Sequence, residues 1–250
     1  MMKWRGLSVA IVLAAVMAAA WAGAARHDEK LEIPWATLTL ATQQRLRDVT
    51  QHATFSRDIL GITINSQQAV FDFLIEHPDF AANAGRIMGI VKYRVLKERD
   101  GLYWGDDAHG ATGTFELVHA ERGKRIYLTK GTFVKRFLPT IYGRIVLILA
   151  WEHRSNRAGM SRVINDVRGY LRIDNPVLGI LASLAKPVVG PIVDRKVRRS
   201  FATAARLTSL ASNDPMTLYQ TLAASNEMAE SDLRAFRKVL RCCVETDAES

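Results

Sequence analysis

SRVINDVRGYLRIDNPV, residues Ser161 to Val177, changes its period once, and that change decides the fold. Val163, Val167, Leu171 and Ile173 alternate with Arg162, Asp166, Arg168 and Arg172, the period of two that gives a strand one apolar and one wet face. Asp174-Asn175 then supplies a helix cap and Pro176 an early helical position. A strand therefore passes directly into a helix. That helix is long: Val177 to Ala211 is Ala-rich, with Pro187, Gly190 and Pro191 predicting a kink or a split in two. Past Val193, the residues Val197, Phe201, Ala204 and Leu207 form its apolar side. Asn213-Asp214-Pro215 ends it, and one or two further amphipathic helices fit Met216 to Cys243.

Upstream, the period of two extends back to Ile90, punctuated by turns at Asp100-Gly101, Asp106-Asp107, Arg122-Gly123 and Asn156 to Gly159. Val91, Tyr93 and Val95 alternate with Lys92 and Arg94, and Phe115 and Leu117 with Thr114 and Glu116, as in an antiparallel meander. The run Ile145 to Ala150 is apolar on both faces, which places it centrally or under a covering arm. Ahead of the meander, Phe55 to Ile64 reads as a strand. Asn65-Ser66 are cap types before a helix over Gln67 to Glu76, which carries Val70, Phe71, Leu74 and Ile75; Pro78 stops it, and Asp79 to Met88 reads as a second short helix. Leu38, Leu40, Leu46 and Val49 predict one packing helix in an N-terminal arm.

The chain starts with Lys3 and Arg5, an apolar run from Leu7 to Ala20, and small residues at Ala22-Gly23-Ala24, the layout of a cleavable secretory signal. A retained anchor is the competing reading. The organisation expected is a signal over 1–24, an arm over 25–52, a main domain over 53–212 and a helical extension and tail over 213–250. The protein is then periplasmic or secreted. Formal net charge is +9; the leader carries two of those positive charges, so the mature body is still basic. Export makes nucleic acid a scarce partner, whereas anionic lipid headgroups attract the same side chains. The two cysteines, Cys242 and Cys243, are adjacent and staple no distant segments.

Strand, two short helices, antiparallel meander and one long C-terminal helix is an order that resembles the START-like, polyketide-cyclase superfamily. The resemblance is carried by Val70-Phe71-Asp72-Phe73-Leu74 with Pro78, by the strand order, and by Val167-Arg168-Gly169-Tyr170-Leu171 before the helix. It runs from about Phe55 to Leu210, and Met88-Gly89-Ile90 with Asp174-Asn175 adds a likeness to exported bacterial members. It implies an α+β helix-grip fold: a curved antiparallel sheet wrapped around the last helix, enclosing a hydrophobic cavity. It also implies a hydrophobic small molecule or lipid as partner, and no metal or other cofactor. On strand alternation the inner face carries Phe115, Leu117, Leu147, Leu149, Trp151, Asn165 and Val167, with Val189 and Val193 from the helix, and these are the candidate ligand contacts. Asn165, polar on an apolar face, needs either a ligand or a backbone partner. Tyr127 lies opposite Ile126 and Leu128 and is a weaker candidate. Arg195, Lys196, Arg198 and Arg199 ring the helix, either as a solvated belt or as a patch for anionic membrane.

Signatures of zinc proteases, zinc ribbons, P-loop enzymes and α/β-hydrolases are missing. Ser183-Leu184-Ala185-Lys186 matches S-x-x-K, but without the accompanying elements it is a chance match. The six histidines are scattered. An acid-base enzyme on this fold would need His119, Tyr127 or Asp166 to point inward, and alternation turns Asp166 outward. A third alternative is a scaffold of the cell envelope, with the helix and tail as contact surfaces.

Overall fold

The computed structural model describes residues 29–134, 136, 139–155, 161–174 and 176–240, with the helical backbone alone for 176–193. A 3-10 turn at Trp35–Thr37 leads to α1 (Leu40–Gln51), capped by Thr39, whose Oγ1 accepts from the Thr42 N–H. β1 (Phe55–Asn65), α2 (Gln68–Glu76) and α3 (Pro78–Ile87) follow. The meander is β2 (Arg94–Arg99), β3 (Leu102–Asp106), β4 (Ala111–Glu121), β5 (Lys124–Phe133), β6 (Ile141–Ser155) and β7 (Ser161–Ile173). The chain then forms α4 (Pro176–Asn213), α5 (Pro215–Ala224) and α6 (Glu230–Leu240).

Seven antiparallel strands make one sheet in the order β1-β7-β6-β5-β4-β3-β2, the helix-grip topology. Laid flat, β1 and β4 would stand about 19 Å apart, four strand spacings. Both wings nevertheless hold α4 at one level. Arg57 of β1 forks onto Asp194 at 2.9 and 2.6 Å, and Asp107 in the β3–β4 turn is ion-paired with Lys196. Positions two apart on a helix lie about 200° apart around its axis, so the sheet reaches α4 from opposite sides. It must therefore be strongly curled.

The arm closes the outer face. Leu31, Leu38, Leu46 and Val49 pack on Ile126, Val146, Ile148 and Ala150, and Leu46, Ile126, Val146 and Ile148 are 0% exposed. β6 is thus apolar on both faces because it is central and also lies under the arm. Leu40 departs from the expected stripe and is 76% exposed; at about 100° per residue it lies on the far side of α1 from Val49. The cap before α2 also differs. β1 stays paired to Asn65, opposite Arg162, so Gln67 becomes the cap position, without a side-chain bond. Of the two outcomes expected for α4, the split is absent: the helix runs unbroken over Pro176–Asn213. Val91 and Tyr93 precede β2 instead of belonging to it; Val91 is buried and the Tyr93 hydroxyl bonds Thr203 of α4.

Ion pairs fasten the arm: Arg45 to Glu116 and Lys30 to Glu152, each at 2.5 Å, and Asp48 between Arg144 and Arg172. The hydrogen bond from Arg45 holds the Glu116 carboxyl below its ordinary value, and that from Lys30 does the same for Glu152. A carboxyl whose folded pKa is lowered stabilises above its ordinary value of 4.5, and that contribution fades as pH falls through the folded value. Between pH 7 and pH 3, hydrogen exchange should therefore show α1 losing protection before β5 and β6 do. Simultaneous loss in all three would contradict independent docking of the arm.

Candidate functional site

The strand register sets one transverse row on the inner face. Leu117 pairs with Tyr127, Tyr127 with Leu147, Leu147 with Gly169 and Gly169 with Arg57, so all five side-chain positions point toward α4. The adjacent row, Leu149, Val167 and Ile59, is buried. In the first row Leu117, Tyr127 and Leu147 are only half-buried, as are Phe115 and Trp151 elsewhere on this face. The inner face thus contrasts with the centre of the outer one, where Ile126, Val146 and Ile148 are fully buried under the arm.

Gly169 stands out in this row. A Cβ built on it would meet nothing within 4 Å among the described residues. Gly143, on the same two-strand ladder, would press its Cβ to 3.1 Å from the Arg172 carbonyl oxygen. Among the described residues, which do not include the side chains of 176–193, nothing packs on Gly169 closely enough to require a glycine there. A lone glycine inside a strand pattern is the sequence signal for such a place.

Around it stand aromatic rings. Tyr103 stacks on Phe115 with centroids 5.1 Å apart, and Phe115 meets Tyr127 edge-on at 5.9 Å. Burial pushes the Tyr127 phenol up to about 12, with the Tyr103 oxygen adding to the rise, and burial also raises Tyr103. Both remain neutral donors at physiological pH.

Toward the other end of β6 and β7 the face is dry. Asn165 is 0% exposed; its Nδ2 donates to the Ile62 carbonyl at 3.1 Å, while its Oδ1 has no hydrogen-bond partner among the described residues. The backbone partner expected for this residue is thus present for one half of the amide. Two positions past Trp151, His153 Nε2 donates to Asp72 Oδ1 of α2 at 2.9 Å, its ring edge-on to Phe71, with Nδ1 buried and unbonded among the described residues. This His–Asp contact joins residues far apart in sequence, and no spacing rule pointed to it. Among the described residues no three His, Cys, Asp or Glu side chains come together as a metal site would require.

Phe115, Leu117, Leu147, Leu149, Trp151, Asn165 and Val167 share the inner face, whereas the side chains of Val189 and Val193, the Ser183–Lys186 match, and Cys242 and Cys243 lie outside the described residues. Arg195, Lys196, Arg198 and Arg199 are exposed, Lys196 being paired with Asp107. Asp107 also accepts from the His109 and Ala111 amides at 2.7 and 2.8 Å, so the polar loop is a tight turn. His119 is taken off the inner face by a bulge after Leu117, which pairs it with Ile126 of the outer face. Asp166 faces outward as alternation required, yet is buried because its Oδ1 accepts from the Gly61 amide in the β1 bulge. Arg57 and Gly169 joined the site only through strand pairing.

No protein-family model matches the chain, and no curated protein matches it. Among solved structures, a conserved protein from Geobacillus kaustophilus is similar with 10% identity and TM-score 0.48, over 63% of this chain and 97% of that one. Ara h 8.0201 has 10% identity and TM-score 0.38 over 62% and 98%, and the Zhui aromatase/cyclase of a Streptomyces strain 10% and 0.35 over 65% and 99%.

Proposed function

We propose that this is an exported START-like protein that takes up a lipid or other hydrophobic molecule between the inner face of the sheet and α4, for transport or sensing in the cell envelope. The observation that carries the reading is the apolar inner face, where Phe115, Leu117, Tyr127, Leu147 and Trp151 are half-buried and no described residue comes within 4 Å of a Cβ built on Gly169, while the arm packs on the centre of the other face. Small-molecule sites are concave and mostly apolar with a few polar groups, and this face has that composition. The exposed cations at Arg195, Arg198 and Arg199 support contact with anionic membrane, each such charge contributing about 1 kcal/mol near the surface. Of the groups named for the enzyme alternative, His119 faces outward and Asp166 accepts from the Gly61 amide, while Tyr127 stays on the inner face.

The test is native mass spectrometry of protein gently isolated from its own envelope fraction. The expected result is a chain starting at Ala25 with one apolar molecule bound. Repeated recovery of empty protein, or of a chain retaining residues 1–24, would remove the binding or the export part of the reading respectively.

A further inference from the structure

Arg45, Arg57, Arg86, Arg144, Arg168 and Arg172 each hold a carboxylate. Arg195, Arg199 and Arg206 of α4 are exposed and form no ion pair with any described residue. At about 100° per residue these three fall within about 40° of one another around the helix axis, and at about 1.5 Å per residue they span about 16 Å along it. Arg198 sits about 60° to one side of Arg195, within electrostatic reach of Asp194, while Lys196, about 100° to the other side, is turned onto Asp107. The ring of cations expected around the helix thus resolves into a stripe. The other exposed residues on that arc are Ala202, Ser209 and Asn213, and no acidic residue occurs between Arg195 and Asn213. The opposite side of the helix packs inward, with Phe201 and Ala204 beside Trp151 and with Leu207 and Ala211 in the helical core.

We infer that this stripe is a docking surface for an anionic lipid bilayer, against which α4 lies along the membrane plane with Arg195, Arg199 and Arg206 on headgroup phosphates. The inference rests on the envelope location proposed above and deepens its membrane contact; it does not depend on an apolar ligand being bound. Cations aligned along one helix face meet a flat anionic surface together, and a guanidinium fork matches the oxygens of a phosphate. Nucleic acid offers the same phosphates, but an exported chain rarely meets it. With no apolar side chain larger than that of Ala202 on the arc, the stripe holds the surface by charge and inserts nothing into the hydrocarbon.

Protein isolated from its own envelope fraction, sedimented with vesicles of phosphatidylcholine alone or mixed with phosphatidylglycerol, tests this. Binding should require phosphatidylglycerol and be lost as salt rises from about 0.1 M to about 0.5 M. Arg206→Gln should weaken it about fivefold, and Arg195→Gln, Arg199→Gln and Arg206→Gln together about a hundredfold. The same charge removed elsewhere, by Arg122→Gln, Arg162→Gln and Lys238→Gln together, should change it by no more than about twofold. Equal losses from the two triple variants would make the attraction one of net charge and overturn the stripe, as would equal binding to both kinds of vesicle. Firmer retention by duplex DNA than by the phosphatidylglycerol vesicles would assign the stripe to nucleic acid and overturn the bilayer. Should the triple variant not fold, Arg206→Gln alone decides, and unchanged binding overturns the proposal. None of these outcomes bears on recovery of a bound apolar molecule, so the pocket stands or falls separately.

Discussion

Gly169→Val should abolish or strongly weaken binding of an apolar ligand, by about tenfold or more, while leaving the protein at least as stable as before. The two halves of this result have separate causes. A branched side chain at 169 projects into the space above the sheet and occupies volume that a ligand would need, and no described neighbour lies within 4 Å of its first carbon to be displaced. The backbone at Gly169 is not in the left-handed region, so valine fits it; glycine is a poor strand residue and valine a good one, a difference of up to about 1 kcal/mol in favour of the variant. Substitutions that damage binding usually do so along with stability. Thermal melting and a titration with 2-acetylnaphthalene read the two effects, and undiminished affinity in a well-folded Gly169→Val protein would place the ligand elsewhere.

The second large effect concerns the arm. Leu46→Ala should destabilise the protein by about 3 kcal/mol, within the range for truncating a fully buried leucine in a cluster that cannot collapse onto the gap. Leu46 is enclosed by strand residues that are themselves rigid, Ile126, Val146 and Ile148 among them. Leu40→Ala, six residues earlier on the same helix and largely in water, should change stability by no more than about 0.5 kcal/mol. Denaturant unfolding of the pair tests whether the arm belongs to the cooperative unit. Equal and small changes for both would make it an accessory that comes and goes without consequence for the sheet.

How much of this could be read from the residues alone varies with the kind of pattern. Strand order, the helix after Asp174 and the double-sided apolarity of Ile145 to Ala150 were legible because each is a local periodicity. The inner-face assignment of Phe115, Leu117, Leu147, Leu149, Trp151, Asn165 and Val167 also followed from alternation. Alternation fails wherever a residue is inserted: the bulge after Leu117 reverses His119, and the one between Ile59 and Ile62 creates the partner that buries Asp166. Which of the inward residues are fully buried was not legible, since Leu149 and Val167 are packed and Leu147, one row along, is half-buried. Arg57 was unreadable as a site residue because its neighbour Gly169 is brought to it by pairing across the sheet. The Asp72 to His153 bond has the same origin.

The pairing of β1 has a kinetic consequence. β1 is an edge strand whose sole sheet partner is β7, with Ile59 set against Val167, about a hundred residues later. Loop closure over such a separation must precede any reward from the contacts it makes, so docking of β1 should come late in folding, after the locally paired meander has formed. A nascent chain emerging from its N-terminus would hold β1 and the arm without partners until nearly the whole meander was synthesised. If the chain is exported unfolded, as proposed above, that delay is an asset, because the order of synthesis itself postpones compaction.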